Sequence, residues 1–484
     1  MMVIRQYLVV AIALAACKGK GDGVKPAPVA SGSASGSGSG SAIAAKDPWV
    51  TADASTVPET PEARKKRAEV ALGRVAEIMP KLAKVRELSF EHDIPREYQT
   101  ADAFKAFVHA EIVKDLPKDK AEDESAALYH IGLLTKPGNL AELEEQAFTT
   151  QAGAYYDPAQ KKFFVVMVPE NDLMLDTMSA HELTHGLQDQ HFDLQKFMPS
   201  GNTLDDDHQA ARRFVAEGDA TFTMFIYMAS PTGQVADGMI KLLRGQLETF
   251  ASMSPEEMMK QNSAAFGSSI DPDIKKSVDA MGDIPMTVLV PMVDSYMQGA
   301  LLCMTAYAQG KWKAVDALYT EPPESTEQAL HPETKLYPKR DHPKRIDFKL
   351  ASDKPEPEVA NVVLGELQYQ IYFQLWNPAQ KTAASEGWGG DRTKVVKSGG
   401  HLVARTATVW DSANDAKEFT DAYVGSLKLR FPKGSGDPAT AAGFDRGDGA
   451  GKIYLKVDGT KVFIVDGATY PKSVDELVAA TKIS

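Results

Sequence analysis

Residues 181–185 read His-Glu-Leu-Thr-His, and no other stretch of this chain restricts its local fold so tightly. Residues four apart lie one turn apart on the same face of an α-helix. His181 and His185 can therefore turn both imidazoles toward one ion, with Glu182 beside it, if the segment is helical. The flanks agree: Glu170, Asn171 and Asp172 supply capping residues, and the apolar spacing predicts a helix from Asp172 to Gln190. Zinc suits a pair of neutral imidazoles at roughly 2.0–2.1 Å, and a third protein ligand plus a water completes a site of the catalytic kind. Such a water loses a proton more readily, and Glu182 can accept that proton as the water attacks a polarised carbonyl.

Two residues compete to be the third ligand. His191 follows His185 at a spacing known from zinc sites, but that pattern needs a Gly three residues after the second His so that the helix can stop and turn back. Gln188 stands there, and Gly186 is at the wrong offset. Glu217 is the better candidate. It lies in RRFVAEGDATFTMF, on a helix predicted from Asp205 to Met228, and shares a face with Phe214, Ala220 and Met224. An unpaired carboxylate is expensive to bury there, and a zinc ion removes that cost.

The start of the chain has a different character. Arg5 and the apolar run from Tyr7 to Ala16 read as a secretion signal, too short for an ordinary spanning helix. Leu14, Ala15, Ala16 and Cys17 resemble the bacterial lipobox, so residues 1–17 are expected to be a lipoprotein signal with Cys17 as the lipidated residue. Lys18 to Lys46, which includes the Gly/Ser tract of Ser31 to Ser41, has no apolar surface to repay ordering, and residues 18–60 are expected to form a flexible tether. No other run approaches the roughly 20 apolar residues of a membrane helix, which leaves lipid on Cys17 as the expected membrane anchor and puts everything downstream outside the cytoplasm.

Of 484 residues, 53 are Lys or Arg and 66 Asp or Glu, a net charge of −13 that argues against nucleic acid as a partner. With 43% hydrophobic residues the chain can fill real cores, which excludes a wholly disordered or coiled-coil protein. Two cysteines exclude a disulfide scaffold, and Cys303, in an apolar stretch, reads as a buried structural thiol. Residues 61–352 are expected to form a mainly α domain with a small edge hairpin. It begins with an all-helical lead-in from Pro61 to Glu145, followed by a hairpin over Ala152 to Val168 and helices at Gly238 to Ser252 and Met286 to Leu318. The Pro-rich KPEPEVA after Asp353 marks a boundary, and residues 353–484 read as a small α+β domain of their own. Its expected elements are a helix from Gly365 to Leu375, strands around Lys394 to Val396 and Leu402 to Val409, a helix from Asp411 to Leu427, and a hairpin turning at Asp458/Gly459. Gly389/Gly390 in GWGGDR reads as a turn and Trp388 as a packing anchor, a weak match to any nucleotide loop.

The pairing of HELTH with a Glu from a following helix resembles the gluzincin class of zinc metallopeptidases. The chain further resembles a group of poorly characterised bacterial metallopeptidases in EEQAFTTQAGAYYDP (Glu144 to Pro158), AHELTHGLQDQHFDL (Ala180 to Leu194), VAEGDATF (Val215 to Phe222), PPESTEQALHP (Pro322 to Pro332) and GWGGDR (Gly387 to Arg392). The resemblance implies a zincin-like fold. The sequence departs from the thermolysin-like pattern, in which an Asp stands four residues after the Glu ligand: Thr221 is there, and Asp219 lies two residues on. Asp219 and Asp189 are the candidates for a carboxylate that orients a metal-bound His. A peptidase also needs a donor for the developing oxyanion, for which His331 and Tyr296 are candidates. Ala154 to Tyr156 is expected to be an edge strand along which an extended peptide can lie.

The leading expectation is a lipid-anchored zinc endopeptidase of the bacterial envelope, acting on a peptide or protein substrate, with His181, His185 and Glu217 as ligands and Glu182 as general base. The alternative is a non-catalytic, zinc-stabilised envelope lipoprotein that binds a partner through its C-terminal domain. A fourth protein ligand such as His191 or His208 would favour it. Hydrolysis of a non-peptide bond follows the same zinc-water logic and stays open.

Overall fold

The computed structural model describes residues 60–149, 153–166, 168, 172–199, 201, 203–253, 282–350 and 357–484. The expected signal segment, Cys17, the tether up to residue 59 and the boundary at Asp353 lie outside them.

Helix α1 (Pro61–Arg86) begins where the Thr60 hydroxyl accepts from the Ala63 N–H and Pro61 takes the first turn, and it ends at Glu87 in a left-handed conformation with φ 59°. The lead-in is not all helical. Strand β1 (Arg96–Tyr98) intervenes before α2 (Ala101–Asp115), α3 (Lys118–Ile131) and α4 (Leu140–Thr149). It exists because it pairs in parallel with β3 (Lys162–Val165), far along the chain, and local periodicity carries no trace of such a pairing. β3 also pairs antiparallel with β2 (Ala154–Asp157), giving the order β1-β3-β2 with β2 at an edge. Their turn is built by the Asp157 carboxylate, which accepts from the Ala159 and Gln160 N–H groups.

The centre is helical: α5 (Asp172–Phe192), α6 (Leu194–Phe197), α7 (Asp206–Ala229), α8 (Asp237–Ala251), α9 (Met286–Gly310), α10 (Trp312–Thr320) and α11 (Thr326–Leu330). Asp205 caps α7 through the His208 N–H. The helix expected over Met286 to Leu318 is two helices, because Lys311 at φ 57° redirects the chain after Gly310. α9 is the one helix among the described residues long and apolar enough to cross a membrane, contrary to the sequence expectation that no such run exists. Yet 78% of its apolar window is buried in the protein, so it reads as a core helix packed along α7.

The C-terminal part contains β4 (Ile346–Asp347), β5 (Glu358–Val362), α12 (Gly365–Trp376), α13 (Lys381–Ser385), β6 (Trp388–Ser398), β7 (His401–Trp410), α14 (Ala413–Arg430), β8 (Ser435–Asp437), β9 (Gly443–Asp445), β10 (Lys452–Asp458), β11 (Lys461–Ala468), α15 (Ser473–Ala480) and β12 (Lys482–Ile483). Seven strands form one sheet in the order β5-β6-β7-β11-β10-β9-β8. Gly389/Gly390 is not a turn. It begins β6 with a register shift, and the Lys344 carbonyl oxygen sits 2.4 Å from where a Gly390 Cβ would stand. The architecture is an α-rich part followed by an α+β part, but one apolar core runs through both, from Ala68 to Ile464 and including Trp388, Trp410 and Phe373. A smaller cluster around Phe348, Val465 and Leu477 fills the other side of the sheet.

Candidate metal centre

Helix α5 is buried on all faces from Thr177 to Asp189, which is unusual for a segment carrying His181, Glu182, Thr184, His185, Gln188 and Asp189. Each of those groups therefore needs a partner inside the protein. α7 packs against α5 and places Glu217 opposite the histidines.

His181 Nε2 lies 3.2 Å from His185 Nε2, and Glu217 Oε2 lies 3.1 Å from the first and 3.4 Å from the second. A tetrahedral ion bound at roughly 2.0–2.1 Å spaces its ligands about 3.3–3.4 Å apart, so these three edges match one face of such a coordination shell. Two imidazole nitrogens and a carboxylate oxygen are also a donor set that divalent first-row metals accept. The residues therefore fit a metal ion. Glu182 belongs to the same cluster, with His181, Glu182 and His185 offering ligand atoms within 4.8 Å of one another. Its Oε2, however, accepts a 2.8 Å hydrogen bond from the Tyr156 N–H of the edge strand. Glu217, in contact with both nitrogens, is the better placed candidate for a ligand, and Glu182 stands beside them with its orientation fixed by the strand.

The electrostatics follow from burial. Burial acts to raise the Glu217 carboxyl, but His185 and His181 against it hold it down at about 2. Burial lowers His181, and neighbouring His185 lowers it further. His185 is pulled down by burial and more than compensated by Glu217 and Glu182, ending at about 9.

Gln188, which breaks the spacing expected for a ligand at His191, has a different task. Its Nε2 donates to the Ala216 carbonyl at 2.9 Å and to Asp219 Oδ2 at 3.2 Å, and its Oε1 faces His185 Nδ1 at 2.8 Å. A carbonyl and a carboxylate only accept, so the amide nitrogen must face them and the amide oxygen must face the ring. His185 Nδ1 therefore carries a proton, which leaves Nε2, facing Glu217, as the ring nitrogen that a metal ion would take in place of its proton. Asp219 thus reaches the ring through Gln188 rather than directly. Asp189 is engaged elsewhere: it accepts from the Tyr156 hydroxyl at 2.7 Å, Lys161 Nζ at 2.7 Å and the Leu194 N–H at 3.2 Å, joining the hairpin to α5.

Tyr296 on α9 packs against His181, with ring centres 5.5 Å apart and planes tilted by 51°. Burial, with the charges of Glu217 and Glu182 added, pushes its phenol well above its usual value and keeps it a neutral donor. His331 is placed elsewhere. Its Nε2 pairs at 2.8 Å with Glu366 Oε1 on α12, at the junction of the helical and sheet-rich parts. His191 bonds the Ser89 carbonyl and His208 pairs with Asp205, so neither joins the cluster. Cys303 is buried, and its thiol points at the Val215 carbonyl. Trp388 is buried and donates to Asp391, which also receives the Leu364 and Gly365 N–H groups. Sequence reasoning missed Gln188 as an orienting group, although its position three residues after His185 on a helix was a usable signal.

A family model described as a domain of unknown function, DUF8575, matches residues 356–477, the sheet-rich part that follows the candidate centre. No curated protein and no solved structure is detectably similar to the chain.

Proposed function

We propose that the chain is a zinc-dependent endopeptidase of gluzincin-like organisation, with a zincin-like helical domain held outside the cytoplasm by lipid on Cys17. The observation that carries this reading is the triangle of His181 Nε2, His185 Nε2 and Glu217 Oε2, with edges of 3.1, 3.2 and 3.4 Å and a tethered carboxylate alongside. Zinc, when bound, supplies an acidified water and polarises the substrate carbonyl. Glu182 is the residue that would take up the proton of such a water. Its Oε2 is pinned by the Tyr156 N–H, so the carboxylate does not need to reorient before it acts. Tyr296, a neutral phenol against His181, donates to the oxygen on which negative charge develops. β2 is at the edge of its sheet, but its residues are buried and its Tyr156 N–H is held by Glu182, so an extended peptide adding there would pair with the remaining backbone groups of the strand.

The test is Glu182→Gln in the full chain. Zinc is retained at wild-type stoichiometry and hydrolysis of an unfolded protein falls by about 10²–10⁴-fold. A wild-type protein that takes up no zinc at neutral pH, or a variant that hydrolyses at the wild-type rate, overturns the reading. Cys17→Ala releases the protein from the membrane fraction if the lipid anchor is correct.

One observation favours a second reading. His181, Glu182, His185 and Glu217 are all almost completely buried, as in sites where an ion merely fastens two helices. In that case the wild type binds zinc, loses stability on chelation and hydrolyses nothing, and the sheet-rich part serves a partner.

A further inference from the structure

The bonding around Asp219 extends beyond the helices that carry the ligands. Arg86, the last residue of α1, is fully buried. Its Nε donates to Asp219 Oδ1 at 2.7 Å, and its Nη2 donates to Asp219 Oδ2 at 3.2 Å and to Asp316 Oδ1 on α10 at 2.6 Å. The guanidinium lies over the Trp312 ring, 4.6 Å from its centre. Asp219 also accepts from the Tyr319 hydroxyl at 2.8 Å and from Thr223 Oγ1 at 3.4 Å. Its remaining donor is Gln188 Nε2, the group that orients the amide facing His185.

We propose that Arg86 is a positioning residue for the metal centre: through Asp219 and Gln188 it fixes the His185 ring with Nε2 turned inward, which makes the lead-in helix a permanent wall of the site. The proposal rests on the metal-centre reading above. A bidentate fork holds the carboxylate in one plane, which a flexible point charge cannot do. Without Arg86, Asp219 is a buried charge lacking its counter-charge, and the chain rearranges around it at the expense of the Gln188 bond. A segment whose terminal side chain is buried against the residue that orients a ligand is not a removable propeptide, because its departure would strip Asp219 of its cation.

The experiment compares the full chain with Gln188→Leu, Arg86→Met and Arg86→Lys. Zinc affinity is read by competition with a chelator, and the visible absorption of the cobalt-loaded protein reports the ligand geometry. Gln188→Leu and Arg86→Met each weaken zinc by about 10–100-fold and shift the cobalt band. Arg86→Lys, which keeps the charge and loses the fork, recovers part of the affinity. Gln188→Leu leaves the Arg86–Asp219 pair in place, so it remains informative if Arg86→Met does not fold. Zinc affinity and a cobalt spectrum unchanged in Gln188→Leu overturn the relay while leaving the metal reading intact. A wild type that binds neither ion overturns the metal reading and the relay with it.

Discussion

Gly218 on α7 and Gly299 on α9 face each other with no room for a side chain on either: a Cβ at Gly218 would fall 2.1 Å from the Gly299 carbonyl carbon, and a Cβ at Gly299 would fall 2.4 Å from the Phe214 carbonyl oxygen. Both obstacles are backbone, so neither can swing aside. Gly218 follows Glu217, the proposed third ligand, and Gly299 lies one turn beyond Tyr296 on α9. The close crossing of the two helices is therefore what brings the phenol to the histidines. Gly299→Ala is expected to cost about 1–3 kcal/mol in urea denaturation, as overpacked cores do, and to weaken zinc binding as the helices separate. Wild-type stability in this variant would show that the helices are not locked at this point.

Tyr296 and His331 were equal candidates from sequence, and the structure separates them. Tyr296→Phe removes one hydroxyl beside His181, so zinc stoichiometry is expected to hold while kcat falls by about 10²–10³-fold with little change in KM. His331→Ala leaves buried Glu366 with Gln370 Nε2 as its remaining donor on Oε1 and is expected to cost about 1 kcal/mol of stability while leaving zinc binding and kcat as they were. Steady-state kinetics beside thermal denaturation decides both. The reverse pattern would move the donor role to His331.

The contrast shows what sequence can carry. His181 and His185 were legible because a helix converts a four-residue spacing into a shared face, and Glu217 because a lone carboxylate stood on an apolar face. The helix bounds were close, with Asp172 to Gln190 expected and Asp172–Phe192 found. The Arg86–Asp219 contact joins residues 133 apart, and β1 owes its existence to a partner strand beyond α4. Neither leaves a periodic mark. His331 was singled out for its chemistry, yet a burial constraint on Glu366, 35 residues on, sets its place. The α+β part read as strands and helices, with Trp388 as a packing anchor, but nothing local indicated that Phe373 fills the same core as α1.

Glu144 on α4 gives the protein a pH dependence separate from the metal centre. It is fully buried, and neither carboxylate oxygen has a hydrogen-bond partner among the described residues. Burial first, and then the charge of Glu124, push it from its usual 4.5 up to about 8. At pH below 4.5 the group is protonated in both states and costs nothing. As pH rises toward 8 the unfolded chain ionises while the folded one stays protonated, so stability falls across that window and levels off above it. Glu144→Gln, which mimics the neutral acid, is expected to match the wild type at pH 5 and to exceed it at pH 8 in urea denaturation. Parallel stability profiles for the two proteins would refute the assignment.

At the junction, Gly365 opens α12 at φ +71°, and Asp207 from the first turn of α7 lies so close that a Cβ would stand 1.8 Å from its Oδ1. Asp207 accepts from the Thr326 N–H at 3.2 Å and from the Thr326 hydroxyl at 2.6 Å, and that hydroxyl oxygen in turn accepts from the Leu367 N–H at 3.2 Å. The helix that carries Glu217 is thus clamped at its N-terminal end by α11 and α12 together. Gly365→Ala strains the left-handed backbone and displaces the Asp207 carboxylate at once. Asp207→Ala keeps the glycine but leaves two Thr326 donors without their acceptor, at an expected cost of about 1–3 kcal/mol. Because one apolar core spans the junction, both variants are expected to lower a single, cooperative thermal transition monitored by tryptophan fluorescence and far-ultraviolet circular dichroism. Two separated transitions, with only the later one reporting loss of the sheet, would mean that the clamp does not couple α7 to the C-terminal part.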